Sequence, residues 1–380
     1  MNPGIQPAIE IQQNTNSGAR GDVRICILAN AALPHTVRWA NYFSLHGYEV
    51  HVLSFEPGPS LSQDVQLHSL APNVHRNLRY FLAARHVRRL IHQIQPDILH
   101  AHYASGYGTL GRLARFRPYV LSVWGMDVFE FPETSALHRR LLEANLASAD
   151  HICSTSHMMA RQTSKYCGKP ITVTPFGVDC SQFLPFKSQL ADSEEFVVGT
   201  VKSLEPKYGI EFLIRGFALF SKKCAGRRVR LVIAGHGSLK QSLQNLTRDL
   251  CIDRLTDFVG PIPHERVPEL LSRFSVFAAL SVMDSESFGV AVIEASACEL
   301  PVVVTSVGGF PEVVVDGITG IVVPPRDPSA AAAAFSTLME DADMRHKLGA
   351  AGREFVLKNY EWSENAGRMN QLYKSILTSN

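Results

Sequence analysis

The 380-residue sequence predicts an α/β protein built as two parallel-sheet domains facing a cleft. Three observations predict it. Short apolar runs that suit strands buried on both faces alternate with longer stretches of helical pattern. The alternation starts twice, at Val23 and again at Phe196. Between the two series lies a polar, proline-bearing segment, residues 184–195, which reads as a linker. At roughly 100–200 residues per domain, the length agrees with two domains.

In the first half, VRICILAN (23–30) reads as the opening strand. A helix is expected from about 37 to 46, stopped by Gly47, and then a strand over 48–55. Strands are expected again at 97–103, 118–124 and 151–156, with helices over 78–95 and 137–148. In the second half, strands are expected at 196–201, 229–235, 256–260, 276–280, 301–305 and 320–324. Helices are expected near 210–222, 239–250 and 288–298. Strands that alternate with helices imply parallel sheets with right-handed crossovers. Such sheets bind ligands where loops leave the carboxyl ends of the strands.

Composition narrows the class. With 46% apolar and 19% charged residues the chain can bury a sizeable core, which excludes a disordered protein. No run approaches the ~18 apolar residues of a membrane span. Residues 1–20 are polar, lack the pattern of a secretory signal and read as a flexible leader. The seven cysteines form no Cys-x-x-Cys pair, which suggests reduced thiols and a cytoplasmic protein. A net charge of +2 excludes a nucleic-acid binder with a strong field. The charge is uneven: residues 1–190 hold 17 Lys and Arg against 12 Asp and Glu, and residues 191–380 hold 20 against 23. The basic stretch 77–94, with Arg79, Arg85, Arg88 and Arg89 beside Tyr80, Phe81 and Leu82, has two readings. It is either a peripheral contact at the inner face of a membrane or an ordinary helix packed on the first sheet.

Candidate chemistry concentrates in residues 281–324, SVMDSESFGVAVIEASACELPVVVTSVGGFPEVVVDGITGIVVP. Glu286 ends a loop, Phe288 and Gly289 open a helix, and Glu294 lies within it. Helix N-terminal amides and their positive partial charge suit a diphosphate, and glycine at 289 lets the backbone approach closely. Glu294 suits ribose hydroxyls and Glu286 the hydroxyls of a sugar. For two isolated glutamates, the plainer reading is an exposed side chain and one that complements the helix dipole.

This stretch resembles the Glu–seven residues–Glu motif of the retaining GT-B glycosyltransferases of family 4, and the likeness runs from about Phe196 to Trp362. The resemblance implies two Rossmann-like domains, residues 21–185 for the acceptor and 195–355 for the nucleotide-sugar donor. It also implies a C-terminal helix, 356–380, that crosses back to the first domain. It implies that Glu286 contacts the transferred sugar and Glu294 the ribose. Glu299 departs from the family's glycine, at a helix end where only the cap is affected. GTVKSLEPKYGIEFLI (199–214) resembles the family's phosphate-gripping loop, with Lys202 in the place of its Arg and Lys207 in the place of its Lys, and Tyr208 inserted. Two cations there suit a diphosphate leaving group. Gly235 and Gly237 of AGHGSL match a Gly-x-Gly turn of the donor site.

The first half matches less well. DILHAHY (97–103) resembles the family's strand entering the cleft, and His102 is the candidate to line it. His100 and His102 are expected on opposite faces of the strand, and so are not read as a metal pair. Trp124 stands where many members carry a His beside the reacting sugar, a role left absent or moved to His102. Asp127 remains as a hydroxyl acceptor. The family's Gly-Gly loop is replaced by ANAALPHTVRW, offering His35 and Arg38 as acceptor contacts.

The implied activity is transfer of a hexose-type sugar, with retention, from a nucleotide-diphosphate sugar (UDP being the commonest case) to a glycan, lipid-linked or other hydroxyl. The implied setting is bacterial surface polysaccharide or glycoconjugate synthesis. No cofactor and no metal are expected, because Asp341 and Asp343 read as a solvated turn. Two alternatives stand beside it. One is an inactive glycosyltransferase-like binding protein. The other is a dinucleotide oxidoreductase, suggested by Gly106, Gly108 and Gly111 in a G-x-G-x-x-G pattern that sits too deep in the chain for the usual fingerprint.

Overall fold

The computed structural model of the chain describes residues 23–70, 78–186, 195–224 and 226–379. The expected leader, residues 1–20, and most of the expected linker, residues 187–194, lie outside them. The first half runs β1 (Arg24–Leu28), α1 (Pro34–Leu45), β2 (Glu49–Ser54), β3 (Gln66–Ser69), α2 (Arg79–Ile94), β4 (Ile98–His102) and α3 (Gly106–Ala114). It continues with β5 (Tyr119–Val123), α4 (Met126–Phe129), α5 (Ala136–Ser148), β6 (His151–Ser154), α6 (His157–Thr163) and β7 (Ile171–Val173). The second half runs β8 (Glu195–Val201), α7 (Ile210–Lys223), β9 (Arg228–Ala234), α8 (Lys240–Asp249), β10 (Thr256–Gly260), α9 (Val267–Leu271) and β11 (Val276–Ala279). Then come α10 (Val290–Ala297), β12 (Val302–Thr305), α11 (Phe310–Val313) and β13 (Ile321–Val323). Three helices close the chain: α12 (Pro328–Glu340), α13 (Ala342–Asn359) and α14 (Trp362–Thr378).

The strands form two parallel sheets, ordered β3-β2-β1-β4-β5-β6-β7 and β10-β9-β8-β11-β12-β13. In β1, Ile25 and Ile27 face one side and Cys26 and Leu28 the other, and all four are fully buried. Helices therefore cover both faces, as a continuous apolar run demands. In each sheet the chain starts centrally, works outward on one side and then returns to fill the other. That reversal falls between β1 and β4, and again between β8 and β11, and it leaves a crevice at the strand ends. β3 and β7 were not foreseen. They are short edge strands whose residues are mostly exposed or half-buried, so they lack an apolar run.

The last helix returns to the first domain. Trp362 donates its amide to Val178 O at 3.0 Å, and α14 then buries Met369, Tyr373 and Ile376. The Tyr373 ring lies 4.8 Å from Phe43, and its hydroxyl pairs with His100 Nδ1 at 2.5 Å. Gly106, Gly108 and Gly111 lie inside α3 and do not form a phosphate loop. A Cβ at Gly106 would come within 2.3 Å of Tyr80, and one at Gly111 within 2.3 Å of Tyr119. The pattern therefore serves close packing, which removes the ground for a dinucleotide site. Among the described residues, no helix is long and apolar enough to cross a membrane.

Candidate active site

The loops at both reversal points open onto one cavity of about 600 Å³ between the domains. The first domain contributes His35, Arg38, Tyr103, Trp124 and Phe176, and the second Lys202, Tyr208, Glu286, Gly289 and Glu294, among others.

Glu286 lies in the loop between β11 and α10 and is 8% exposed. Lys202, at the end of β8, donates to its Oε2 at 2.7 Å, and Ser281 Oγ donates to the same oxygen at 3.0 Å. The Lys202 ammonium also lies 4.8 Å from the centre of the Tyr208 ring. Gly235 permits this arrangement. Its φ is +138°, and a Cβ there would come within 1.9 Å of Lys202 O. Gly289 caps α10 with φ +100°. A residue with a side chain would be strained in that conformation. It borders the cavity with Val290 and Ala291, so first-turn amides without helical partners face the space.

Helix α10 is apolar on nearly every side, and six of its eight residues are buried. Glu294 is the exception in chemistry, at 5% exposure. A buried carboxylate needs a partner, and His264 Nε2 supplies one at 2.8 Å. That bond holds the His264 imidazole above its usual range.

Lys207 is not among the residues lining this cavity. Its carbonyl is fixed by the Val282 amide at 2.8 Å, and the inserted Tyr208 takes the wall position, with the Lys207 ammonium 5.0 Å from the Tyr208 ring. Burial and the charge of Glu286 push the Tyr208 hydroxyl up to about 12. Gly237 also lies off the cavity; a Cβ there would meet Leu204 O at 2.4 Å. Phe288 lines the cavity and is 2% exposed.

The first-domain residues divide into wall and support. His35 stacks on Phe176 at 4.1 Å, and burial, with Arg38 and His264 nearby, lowers its imidazole to about 4. Arg38 donates to Gly177 O at 2.9 Å and lies 4.1 Å over the Trp362 ring. The charge of Glu294 reaches Arg38, so this pair is coupled electrostatically to the Glu294–His264 side. Trp124 forms the wall itself.

His102 does not line the cavity. Its ring lies 4.4 Å from Trp124, its Nδ1 is buried without a partner, and burial holds its imidazole well below the usual range. It is thus poorly suited to the proton role that Trp124 leaves open. The expected opposite orientation of His100 and His102 is also corrected. Residues two apart on a strand share a face, and these rings are 4.6 Å apart. Asp127 is likewise off the cavity, with its carboxylate accepting the amides of Ala104 at 2.7 Å and Gly125 at 2.8 Å. It organises the turn after β5 and leaves no oxygen for a sugar hydroxyl.

Sequence reasoning missed Tyr103, Ser281 and His264. His264 is 30 residues from Glu294, and no spacing rule links them. Tyr103 carried one signal, its position at the end of a predicted strand.

Two Rossmann-type sheets facing each other across such a cleft define the GT-B architecture. Residues 182–355 match the family described as glycosyl transferases group 1, and residues 24–156 match glycosyl transferase 4-like. The chain belongs to the group 1 glycosyl transferases and is a glycosyltransferase. A D-inositol 3-phosphate glycosyltransferase of Acidothermus cellulolyticus is 31% identical over 307 residues, 74% of this chain and 67% of that one. A GDP-mannose-dependent alpha-(1-6)-phosphatidylinositol monomannoside mannosyltransferase of Mycolicibacterium smegmatis is 32% identical over 210 residues. That match covers 52% of this chain and about half, 54%, of the relative. Sucrose-phosphate synthase of Thermosynechococcus elongatus shares the fold, with a TM-score of 0.81 at 20% identity over 94% of this chain and 100% of that one. So does Anabaena HepE in complex with UDP-glucose, with a TM-score of 0.78 at 20% identity over 93% and 99%.

Proposed function

We propose that the protein transfers a hexose-type sugar from a nucleotide-diphosphate sugar to an acceptor hydroxyl, with retention of anomeric configuration. The observation that carries this reading is the Lys202–Glu286 pair beside the amino end of α10, with Glu294 buried farther along the same helix. Lys202 and the α10 amides take the diphosphate, where negative charge grows as the glycosidic bond breaks. Glu286 orients the transferred sugar, and Glu294, held by His264, takes the ribose hydroxyls. No first-domain carboxylate in the described cavity stands ready as a base, so the departing phosphate oxygens take the acceptor proton.

Relatives support the donor class and suggest an acceptor class. One is named for GDP-mannose, and the names of others carry inositol phosphates or phosphatidylinositol. The acceptor is a hydroxyl of a phosphorylated or lipid-linked polyol or of a glycan, in surface glycoconjugate synthesis. A peripheral contact with an anionic membrane fits the start of α2, where Leu78, Phe81 and Leu82 are exposed at 57, 48 and 57% close to Arg85 and Arg89. A panel of UDP- and GDP-linked sugars, assayed for hydrolysis and for transfer to inositol phosphates and lipid extracts, tests the reading. Nucleotide release with one donor and a retained anomeric bond in the product support it. Binding without turnover of any donor would favour a binding protein.

A further inference from the structure

The loop that carries Glu286 is tied to the first domain. Ser287 Oγ donates to Trp124 O at 2.9 Å, and Ser287 O accepts from Ser156 Oγ at 2.8 Å. The Glu286 carbonyl accepts the Gly309 amide at 2.8 Å, which joins this loop to the segment leading into α11. Glu312 on α11 then reaches across the domain boundary. Its carboxylate accepts the amides of His157 at 2.8 Å and Met158 at 2.5 Å, the first two residues of α6. Those amides have no helical partner, and an anion at a helix N-terminus is favoured by the dipole.

We propose that Ser287 and Glu312 are positioning residues that latch the two domains together and so set Glu286 against the Trp124 wall. The proposal rests on the reading of Glu286 as the sugar-contacting group. Lys202, Glu286, Gly289, Glu294 and His264 all belong to the second domain, so donor contacts survive when the domains part. The bonds of the Ser287 hydroxyl and the Glu312 carboxylate exist only when they meet. Deleting either therefore weakens the closed state alone, and a ligand that binds both states equally cannot restore it.

The test combines kinetics with solution scattering on the full chain. Ser287→Ala removes one hydroxyl and is expected to lower kcat about fivefold, and Glu312→Ala about ten- to a hundredfold, as for neutral and charge-assisted bonds. The dissociation constant for UDP or GDP, whichever the wild type binds, should stay within about twofold, because its contacts lie in one domain. The radius of gyration of the nucleotide-saturated variants should exceed that of the wild type, and Glu312→Gln, which keeps an acceptor oxygen, should recover part of both effects. A merely local role for either residue would not move the radius. An unchanged radius in both alanine variants overturns the latch, whatever the rate, and so does a normal kcat in both. Glu286→Gln serves as the separate control. Full turnover in that variant removes the reading of Glu286, whereas the radius still decides whether the latch exists.

Discussion

Lys202 and Glu286 are 84 residues apart in the chain and meet at 2.7 Å, with side chains only 12% and 9% exposed. Two charges withdrawn from water this far must satisfy each other, and removing one strands the other. The pair thus has two roles. It holds the loop after β11 against the end of β8, and it keeps a cation at the mouth of a helix N-terminus.

Lys202→Ala should lower kcat/KM by about 2–4 kcal/mol of transition-state stabilisation, the cost of losing one preorganised electrostatic contact. Lys207→Ala should cost less than Lys202→Ala, because Lys207 does not line the cavity and its ammonium lies 5.0 Å from the Tyr208 ring, which does. Of the two lysines expected to grip the diphosphate, Lys202 lines the cavity and Lys207 stands behind Tyr208. Steady-state kinetics with the best donor decides. Near-normal turnover in Lys202→Ala, with its fold intact by circular dichroism, would remove Lys202 from the mechanism.

The central strands and the two-domain plan were legible because buried parallel strands are continuous apolar runs. Edge strands β3 and β7 were not, since half their surface meets solvent. At the site, Glu286, Gly289 and Glu294 were legible because local spacing around one helix start brings them together, and Lys202 because it directly follows the opening strand of the second series. The place of Lys207 was not legible, because the inserted Tyr208 takes the wall position beside it. His102 and Asp127 were misplaced because a sequence does not tell which of two neighbouring layers meets solvent. Trp124 covers the first, and backbone amides consume the second.

Acid should destabilise the fold. Burial lowers His35 to about 4 and His100 to about 3, and it lowers His102 as well. Unfolded, each takes a proton near its ordinary value of about 6.5. The unfolded state therefore binds more protons as pH falls, so their contribution is present above pH 6.5 and is lost on descent toward 4 and below. His264 has the opposite sign. Its folded value is raised, chiefly by the bond to Glu294, so its contribution is full below about 6.5 and is lost as pH rises through the folded value. Thermal midpoints should fall steeply from pH 6.5 to 4, and His264→Gln should cost more at pH 6 than at pH 8. Equal costs at both would refute the ion pair.

Glu299→Gly should stabilise the protein. Glu299 follows α10 with φ +60°, its amide bonds Ser296 O at 3.0 Å and the Leu300 amide bonds Ala295 O at 3.1 Å. This is the Schellman arrangement, whose left-handed position favours glycine. Removing the strain at an exposed side chain should gain about 0.5–1 kcal/mol. Chemical denaturation at neutral pH measures it, and a loss of stability would contradict the argument.

Activity should survive EDTA. Asp341 accepts the Met344 amide at 2.8 Å and caps α13, and Asp343 sits in the first turn of that helix, where an acid complements the dipole. Neither residue lines the interdomain cavity. Complete loss of turnover with EDTA, rescued by magnesium or manganese, would overturn this assignment and require a metal site formed with the donor.

The two glutamates should separate binding from chemistry. Glu294 is assigned to ribose, which does not change during reaction, so its loss should weaken ground and transition states alike. Glu294→Gln should then raise the donor KM with kcat less affected. It should also lower the pKa of His264, since the side chain that raises it loses its charge. Glu286 is assigned to the transferred sugar, and its position depends on Lys202 and Ser281. Glu286→Gln keeps the size but weakens both bonds, so the sugar is held less well for attack and kcat itself should fall. Gln is the cleaner probe at both positions, because Ala at 286 would leave Lys202 buried and unpaired. Kinetics on both variants with a single donor, together with an NMR titration of His264, gives the decision. A pure KM defect at Glu286 and a pure kcat defect at Glu294 would reverse the roles. No defect at either would place the chemistry outside this cavity.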